Sequence, residues 1–410
     1  MNTPVSSPLV RPITEKKRFA MNRSTPSPRP SPPLRVGERV PEGRVREPFE
    51  GSSREMLFRG RFTRRAFLKG GASLALTVAG AGGLALPLRA AGRPVKIQLG
   101  TLVQKDTSVH QILKSMAAKW QKAPGPGITV TFHTDGVMGS EADMIRRMRI
   151  GQLQAAVLTA AGLAGIDPAL SALQKMPLAF RSLDEVVYVR TRLFPKLQQR
   201  LREKDFVLLC LSDAGWIRYF SKVKATVPAE FQKLKLFATA GDKEYIDVMR
   251  EIGFRPVALE YQDILTGLAT GNMIEALASA PFYALAGQFY TRAKHMVEVN
   301  WVPLVGGLVI HRKAWDLFPP ETQNEMFKIA QEAGEQIQRQ TRQEADEAVV
   351  AMQKRGLAVH SLDAPAQAAW EQFARSLEGK VRGRLVPAET FDEVHGLIKE
   401  YRASQSSPPK

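Results

Sequence analysis

The residues best suited to catalysis or metal binding are the histidines, the cysteine and any serine in a nucleophile motif. The six histidines are His110, His133, His295, His311, His360 and His395. None lies at a metal-ligand spacing from Cys, Asp or Glu, and no His-Glu-x-x-His motif occurs. A Gly-x-Ser-x-Gly nucleophile motif is also missing. The sequence therefore predicts no catalytic residue, no metal site and no cofactor.

Cys210 is the single cysteine, and it lies in the apolar run 206–211. One cysteine cannot form a disulfide within the chain. In such a run the pattern is typical of a small core residue, so we expect a buried thiol and not a nucleophile.

The glycine-containing turn 135–139 precedes a predicted helix, whose N-terminus could bind an anion. Ser140 and Asp143 fit a helix cap at the same place. The spacing favours a turn with a cap over an anion site.

The net charge of +18 over 410 residues suggests a nucleic-acid partner at first sight. Residues 1–92 contain 17 basic and 6 acidic residues, and so supply +11 of it. The rest of the chain has no basic tract interleaved with aromatic residues. We therefore expect no nucleic-acid binding.

Residues 1–55 are rich in Pro, Ser, Arg and Glu and show no apolar period. This composition predicts a disordered N-terminal extension. It is either an interaction tail or a stretch that is not translated, if synthesis starts at Met21 or Met56.

An export signal is predicted over residues 56–92. The segment 63–69 matches the twin-arginine pattern, with Arg64, Arg65 and Phe67 at the expected positions. A Gly- and Ala-rich apolar segment and a small-residue cleavage region near Ala91 follow. We expect cleavage and a periplasmic mature protein; the alternative is a retained membrane anchor.

Two βαβ units are predicted in the mature chain. Strands at 95–99, 128–132 and 155–160 alternate with helices, the first capped by Ser108, and the order strand–helix–strand recurs at 256–278. One long helix is predicted over 319–356, and shorter helices around 365–377 and 387–401. The pattern predicts an α/β protein with two lobes of similar build.

From about residue 95 to 377 the chain resembles the extracytoplasmic substrate-binding receptors of TRAP transporters (the DctP type). The resemblance rests on five segments in the same order: 136–156, 177–185, 227–236, 266–271 and 304–317. It implies a periplasmic-binding-protein-like fold with a hinge, a helix spanning both lobes, a cleft for one small-molecule ligand and docking on TRAP membrane permease subunits. It implies no catalysis.

On this resemblance lobe I comprises residues 93–214 with about 300–318. Lobe II comprises 215–299 with the C-terminal helices. The spanning helix covers 319–356, and 357–410 hold the C-terminal helices and tail.

The resemblance also points to site residues where this sequence departs from the family. Phe237 stands where many members have a carboxylate-binding arginine, and Trp216 stands at a second such position, with Arg218 close by. Thr159 replaces a position that is often polar or acidic, and Ser279 follows the matching glycine-rich helix end.

Further candidate ligand-binding residues are Gly241, Asp242, Pro281 and Trp301, the last as a wall of the cleft. Without the arginines, the expected cargo is less acidic and more apolar than the family's usual carboxylates. Alternatively, Phe237 and Trp216 are core residues and the ligand binds elsewhere. Two rival functions remain: a non-transporting receptor-like protein that works with a periplasmic accessory protein, and a twin-arginine-exported oxidoreductase.

Overall fold

The computed structural model describes residues 94–270 and 273–406. The predicted N-terminal extension and the export signal, with Arg64, Arg65 and Phe67, lie outside the described residues. Within the described ranges, no helix is both long and apolar enough to cross a membrane.

One mixed sheet runs through the described part of the chain. Its strands are β1 (Val95–Thr101), β2 (Ile128–His133), β3 (Ala155–Thr159), β4 (Phe206–Ser221), β5 (Lys235–Thr239), β6 (Arg255–Leu259), β7 (Ala276–Ser279), β8 (His295–His311) and β9 (Ala358–His360). Their order is β2-β1-β3-β8-β4-β7-β5-β6, and β9 pairs with β8.

Helices cover both faces of this sheet. They are α1 (Ser108–Trp120), α2 (Glu141–Arg149), α3 (Ala160–Leu163), α4 (Leu183–Arg202), α5 (Pro228–Phe231), α6 (Lys243–Glu251), α7 (Ile264–Ala269), α8 (Pro281–Ala286), α9 (Arg312–Trp315), α10 (Pro320–Gln353), α11 (Ala364–Val381) and α12 (Ala388–Ser406). Short 3₁₀ helices occupy Pro168–Leu173, Tyr261–Asp263 and Phe289–Thr291.

Each lobe is built on parallel strands. In lobe I, β1 pairs in parallel with β2 and β3, and α1 and α2 make the crossovers. In lobe II, β5 pairs in parallel with β6 and β7. Parallel strands must be joined by crossovers, which are usually helices. The sequence alternates apolar strand segments with amphipathic helix segments, and so encodes both the strands and their crossovers. The predicted two-lobed α/β fold is confirmed.

The lobes are joined by two long antiparallel strands, β4 and β8, of 16 and 17 residues. The first part of β4 pairs with the last part of β8 beside β3, and their other halves pair beside β7. The register shifts between Asp213 and Trp216, where Gly215 has a φ of +83°. A bulge of this kind bends a strand, so it marks the crossing between lobes.

Local capping explains where the first helices begin. Ser140 and Asp143 form a reciprocal capping box at α2, in agreement with the sequence prediction. Thr107, and not Ser108, caps α1, because its side chain accepts a hydrogen bond from the His110 backbone N–H. This corrects the predicted cap by one residue.

The long helix α10 extends over Pro320–Gln353, close to the predicted range. It packs against α1 in lobe I, against β4, and against α8 in lobe II. Its buried side includes Met326, Ala330 and Ala333. At Gly334 a Cβ atom would lie 3.2 Å from the Cys210 Cβ, so glycine lets the helix pack tightly against β4.

The two C-terminal helices pack on different lobes. Helix α11 packs on α5 of lobe II. Helix α12 packs on α4 of lobe I, where Arg402 Nε lies 2.7 Å from Glu185 Oε1. The prediction that both helices belong to lobe II is therefore wrong for α12, because an amphipathic pattern does not identify the surface that it covers.

Candidate functional site

A cavity of about 800 Å³ lies between the two lobes. It is bordered by the carboxyl ends of β1 and β3 in lobe I and of β5 and β7 in lobe II. The central part of β4 and β8 forms its floor, and α10 contributes Ile337 to its wall. Ligands of open α/β sheets bind at the carboxyl ends of parallel strands, so this cavity is the candidate site.

Most of the cavity wall is apolar. Leu113 and Met116 come from α1, Ile217 from β4, Phe237 from β5 and Ile337 from α10. These side chains offer no hydrogen bond to a ligand. They suit the apolar body of a molecule that leaves water on binding.

Glu141 is a buried carboxyl of the cavity, with 8% of its surface exposed. It accepts hydrogen bonds from the backbone N–H of Thr159 and from Thr159 Oγ1, the latter at 2.7 Å. Burial raises the pKa of Glu141 to about 7, although the Thr159 hydrogen bonds oppose the shift. Asp242 raises this pKa further and Lys175 lowers it, so all three lie at one polar end of the cavity.

Lys175 and Asp242 form an ion pair between the lobes. Lys175 precedes α4 in lobe I, and Asp242 precedes α6 in lobe II; their Nζ and Oδ2 atoms are 2.6 Å apart. The side chain of Lys175 is 10% exposed, and its Nζ lies 5.7 Å from the centre of the Tyr245 ring. The other oxygen of Asp242 accepts from the Tyr245 backbone N–H at 3.3 Å and caps α6.

Arg384 is the one arginine among the described residues that line the cavity. It binds Glu244 through Nε, and its Nη1 lies 2.7 Å from Glu251 Oε1. Asp213 also lines the cavity, and Arg342 holds both of its oxygens at 2.9 Å. The described wall thus contains no arginine without a carboxylate partner.

Five of the eight candidate ligand-binding residues line the cavity: Thr159, Phe237, Gly241, Asp242 and Ser279. Gly241 also lies where the lobes approach each other, because a Cβ atom there would be 3.3 Å from the Ala142 Cβ. Gln104 of lobe I donates to the Tyr261 hydroxyl of lobe II at 2.8 Å. The lobes are therefore in contact across the cleft.

The other three candidates lie outside the cavity wall. Trp301 is 6% exposed and packs in an aromatic cluster, with its ring 5.3 Å from that of Trp370. Trp216 packs against the apolar core, and its neighbour Ile217 faces the cavity, because the bulge in β4 shifts the alternation. Pro281 is buried at the first position of α8. These placements correct the expectation that Trp216, Pro281 and Trp301 line the cleft.

Cys210 is buried, as predicted, and lines the cavity beside α10. Burial raises the pKa of its thiol to about 11, which disfavours the thiolate needed for nucleophilic attack. Residues 94–270 and 273–406 contain no group of three His, Cys, Asp or Glu placed to hold a metal ion.

Sequence reasoning missed Glu141, Lys175 and Ile217. Glu141 follows the capping residue Ser140 directly, and a carboxyl at the first helical turn after a strand was a usable signal. Lys175 carried no such signal, because it lies in a loop and acquires its partner only in the folded protein.

The raised pKa of Glu141 gives a pH-dependent stability. Between pH 4.5 and 7 the folded chain retains a proton that the unfolded chain has lost, so stability falls as pH rises. The loss attributable to Glu141 is about 3 kcal/mol in the free energy of unfolding. Urea unfolding of wild type and Glu141→Gln at pH 4.5 and 7.5 measures it, because the amide cannot ionise. Equal pH dependence of the two proteins would contradict the prediction.

Comparison with known proteins identifies the family. Residues 99–381 match the model of DctP, bacterial extracellular solute-binding protein family 7. The C4-dicarboxylate-binding periplasmic protein DctP of Rhodobacter capsulatus is 21% identical over 80% of this chain and 98% of its own length. The 2,3-diketo-L-gulonate-binding periplasmic protein YiaO of Escherichia coli is 24% identical, over 71% of this chain and 87% of its own.

A solved structure shows the same fold. The sugar acid binding protein DctPAm of Advenella mimigardefordensis, in complex with galactonate, superposes with a TM-score of 0.70 at 14% identity. The match covers 75% of this chain and 99% of that one. The chain belongs to the bacterial extracellular solute-binding proteins of family 7, which are substrate-binding receptors and not enzymes.

Proposed function

We propose that this chain captures one small molecule in the interlobe cavity, in the periplasm, and delivers it to the membrane permease of a TRAP transporter. The observation that carries the proposal is the cavity of about 800 Å³ walled by both lobes. A ligand that contacts both lobes favours their closed arrangement, so a permease can distinguish a loaded receptor from an empty one. The twin-arginine signal at Arg64 and Arg65 is the proposed export route.

The proposed cargo is less acidic and more apolar than a dicarboxylate or a sugar acid. Phe237 faces the cavity where the resemblance expects an arginine, and Arg384 is bound to two glutamates. Burying a carboxylate against an apolar wall without a partner costs several kcal/mol, about 2–7 for neutral polar groups and more for charged ones. Thr159, Ser279 and Glu141 offer hydrogen bonds to a hydroxyl or amide instead.

The size of the cavity favours ligand capture over the rival function of a non-transporting interaction protein. A receptor-like protein that has lost its ligand is expected to fill its cleft with side chains. Here Phe237 and Ile217 line an open space and do not fill it.

The ligand is expected to be recovered from receptor isolated from the periplasm of the native host. Native mass spectrometry of the complex, followed by extraction, identifies it. Adding it back at 100 times its Kd should raise the free energy of unfolding by about 2.7 kcal/mol. Absence of any bound molecule, together with no thermal shift across neutral lactams, sugars, alcohols and amides, would contradict the proposal.

Replacing Phe237 with arginine should weaken binding of that ligand at least about tenfold, because the guanidinium displaces an apolar contact and carries a charge into the cavity. Isothermal calorimetry measures the Kd. The matched control is Phe327→Arg, since Phe327 is a half-buried phenylalanine on α10 outside the cavity wall. An unchanged Kd for Phe237→Arg would show that this strand does not line the ligand site.

A further inference from the structure

The polar end of the cavity contains one buried ammonium group, that of Lys175. A buried ammonium would ordinarily attract the carboxylate of a ligand. In this structure Asp242 of the opposite lobe is 2.6 Å from it, and both residues line the cavity. The carboxylate of Asp242 therefore occupies the position beside Lys175 that a ligand carboxylate would otherwise take.

The neighbouring groups reinforce this arrangement. Glu141 lines the same cavity, and Gly241 beside Asp242 approaches Ala142 beside Glu141, with 3.3 Å between the Ala142 Cβ and the position of a Cβ at Gly241. Asp242 raises the pKa of Glu141 and Lys175 lowers it. Lys243, the other lysine of the wall, is exposed to solvent. A carboxylate that approached Lys175 would therefore meet the carboxyl groups of Asp242 and Glu141, and like charges disfavour each other.

Gln174 adds an independent observation about the ligand. It lines the cavity next to Lys175, and its Oε1 atom is buried without a hydrogen-bond partner among the residues that the structure describes. A buried amide oxygen of this kind needs a donor. A ligand hydroxyl or N–H group that enters the cavity would provide one.

We propose that Asp242 is a built-in counter-ion for Lys175, and that the pair makes the closed cleft select a neutral head group that donates hydrogen bonds, an alcohol or an amide, over a carboxylate. The inference rests on the proposed function and specifies the ligand class of the same cavity. Because the pair joins the two lobes, a ligand that competed for Lys175 would also break a contact that closes the cleft.

The test uses two probes with one apolar body, 4-phenylbutanoate and 4-phenylbutanamide, and measures their Kd by calorimetry. Wild type should bind the amide at least about tenfold more tightly than the carboxylate. Asp242→Asn should bind the carboxylate at least about tenfold more tightly than wild type does, because Lys175 becomes available. Asparagine also caps helices well, so α6 retains its cap.

Two further variants control the result. Asp263→Asn removes one negative charge from an exposed side chain of lobe II that does not line the cavity, and it should leave the carboxylate Kd at the wild-type value. Lys175→Met in the Asp242→Asn background should abolish the gain. These variants separate a local counter-ion effect from a change in overall charge.

Equal carboxylate affinity in wild type and Asp242→Asn would overturn the proposal, as would a gain of the same size in Asp263→Asn. Binding of the amide to wild type no tighter than that of the carboxylate would also overturn the proposed selectivity. The proposed function fails by a different result, namely no bound molecule in receptor from the native host and no thermal shift with any compound of the library, so the two failures are distinguishable.

Discussion

Replacing Arg342 with methionine should lower the free energy of unfolding by about 3–5 kcal/mol. Arg342 donates from Nε and Nη2 to the two oxygens of Asp213, and its Nη2 also donates to the Leu183 carbonyl at 3.1 Å. The side chain of Asp213 is fully buried. Without the guanidinium, a buried carboxylate loses its partner, which is among the most costly of single changes.

Urea unfolding at pH 7 measures this loss. The matched control is Arg339→Met on the same helix, since Arg339 is 70% exposed and lies 3.7 Å from Glu335. An exposed pair of this kind contributes about 0.2–1 kcal/mol. Adding Asp213→Asn to Arg342→Met should restore part of the stability, because the amide leaves no unpaired carboxylate charge at position 213. A loss below about 1 kcal/mol for Arg342→Met would contradict the argument.

Replacing Trp370 with alanine should also cost about 3–5 kcal/mol. Trp370 is fully buried on α11, and its ring contacts those of Tyr219, Phe231 and Trp301 at 5.3–5.9 Å. Its Nε1 donates to the Thr226 carbonyl at 2.8 Å. The substitution therefore removes a large apolar surface and leaves a cavity between α11 and lobe II.

Two further substitutions, one at Trp370 and one at the next residue, separate the contribution of the hydrogen bond from that of packing. Trp370→Phe retains a ring but loses the hydrogen bond to Thr226, so it should cost less than alanine does. Glu371→Ala, at the exposed neighbouring position of α11, should change the free energy of unfolding by less than about 0.5 kcal/mol. Urea unfolding measures all three. Equal losses in the alanine and phenylalanine variants would show that the hydrogen bond, and not packing, dominates.

The parts of the fold that depend on local sequence could be predicted. The capping box at Ser140, the parallel strands with their amphipathic helices and the long helix ending near Gln353 each follow from residues within a few turns of one another. The lobe assignment of α12 could not be predicted. Its packing on α4 brings together residues that are distant in sequence, among them Arg402 and Glu185.

Fewer features of the candidate site than of the fold could be predicted from the sequence, for two physical reasons. Side chains alternate along a strand, so the bulge after Asp213 exchanges the faces of Trp216 and Ile217. The pair of Lys175 and Asp242 joins loops of different lobes, and no local pattern encodes such a contact. Phe237, which the resemblance pointed to, lies on a regular strand and lines the cavity.

The two crossing strands have a consequence for how the protein responds to heat. Since β4 and β8 belong to the sheet of both lobes, neither lobe can lose its strands while the other retains its own. The described chain should therefore melt in one cooperative transition. A small molecule held at the centre of that shared sheet would then raise the melting temperature of the whole receptor, and a single thermal scan would detect it.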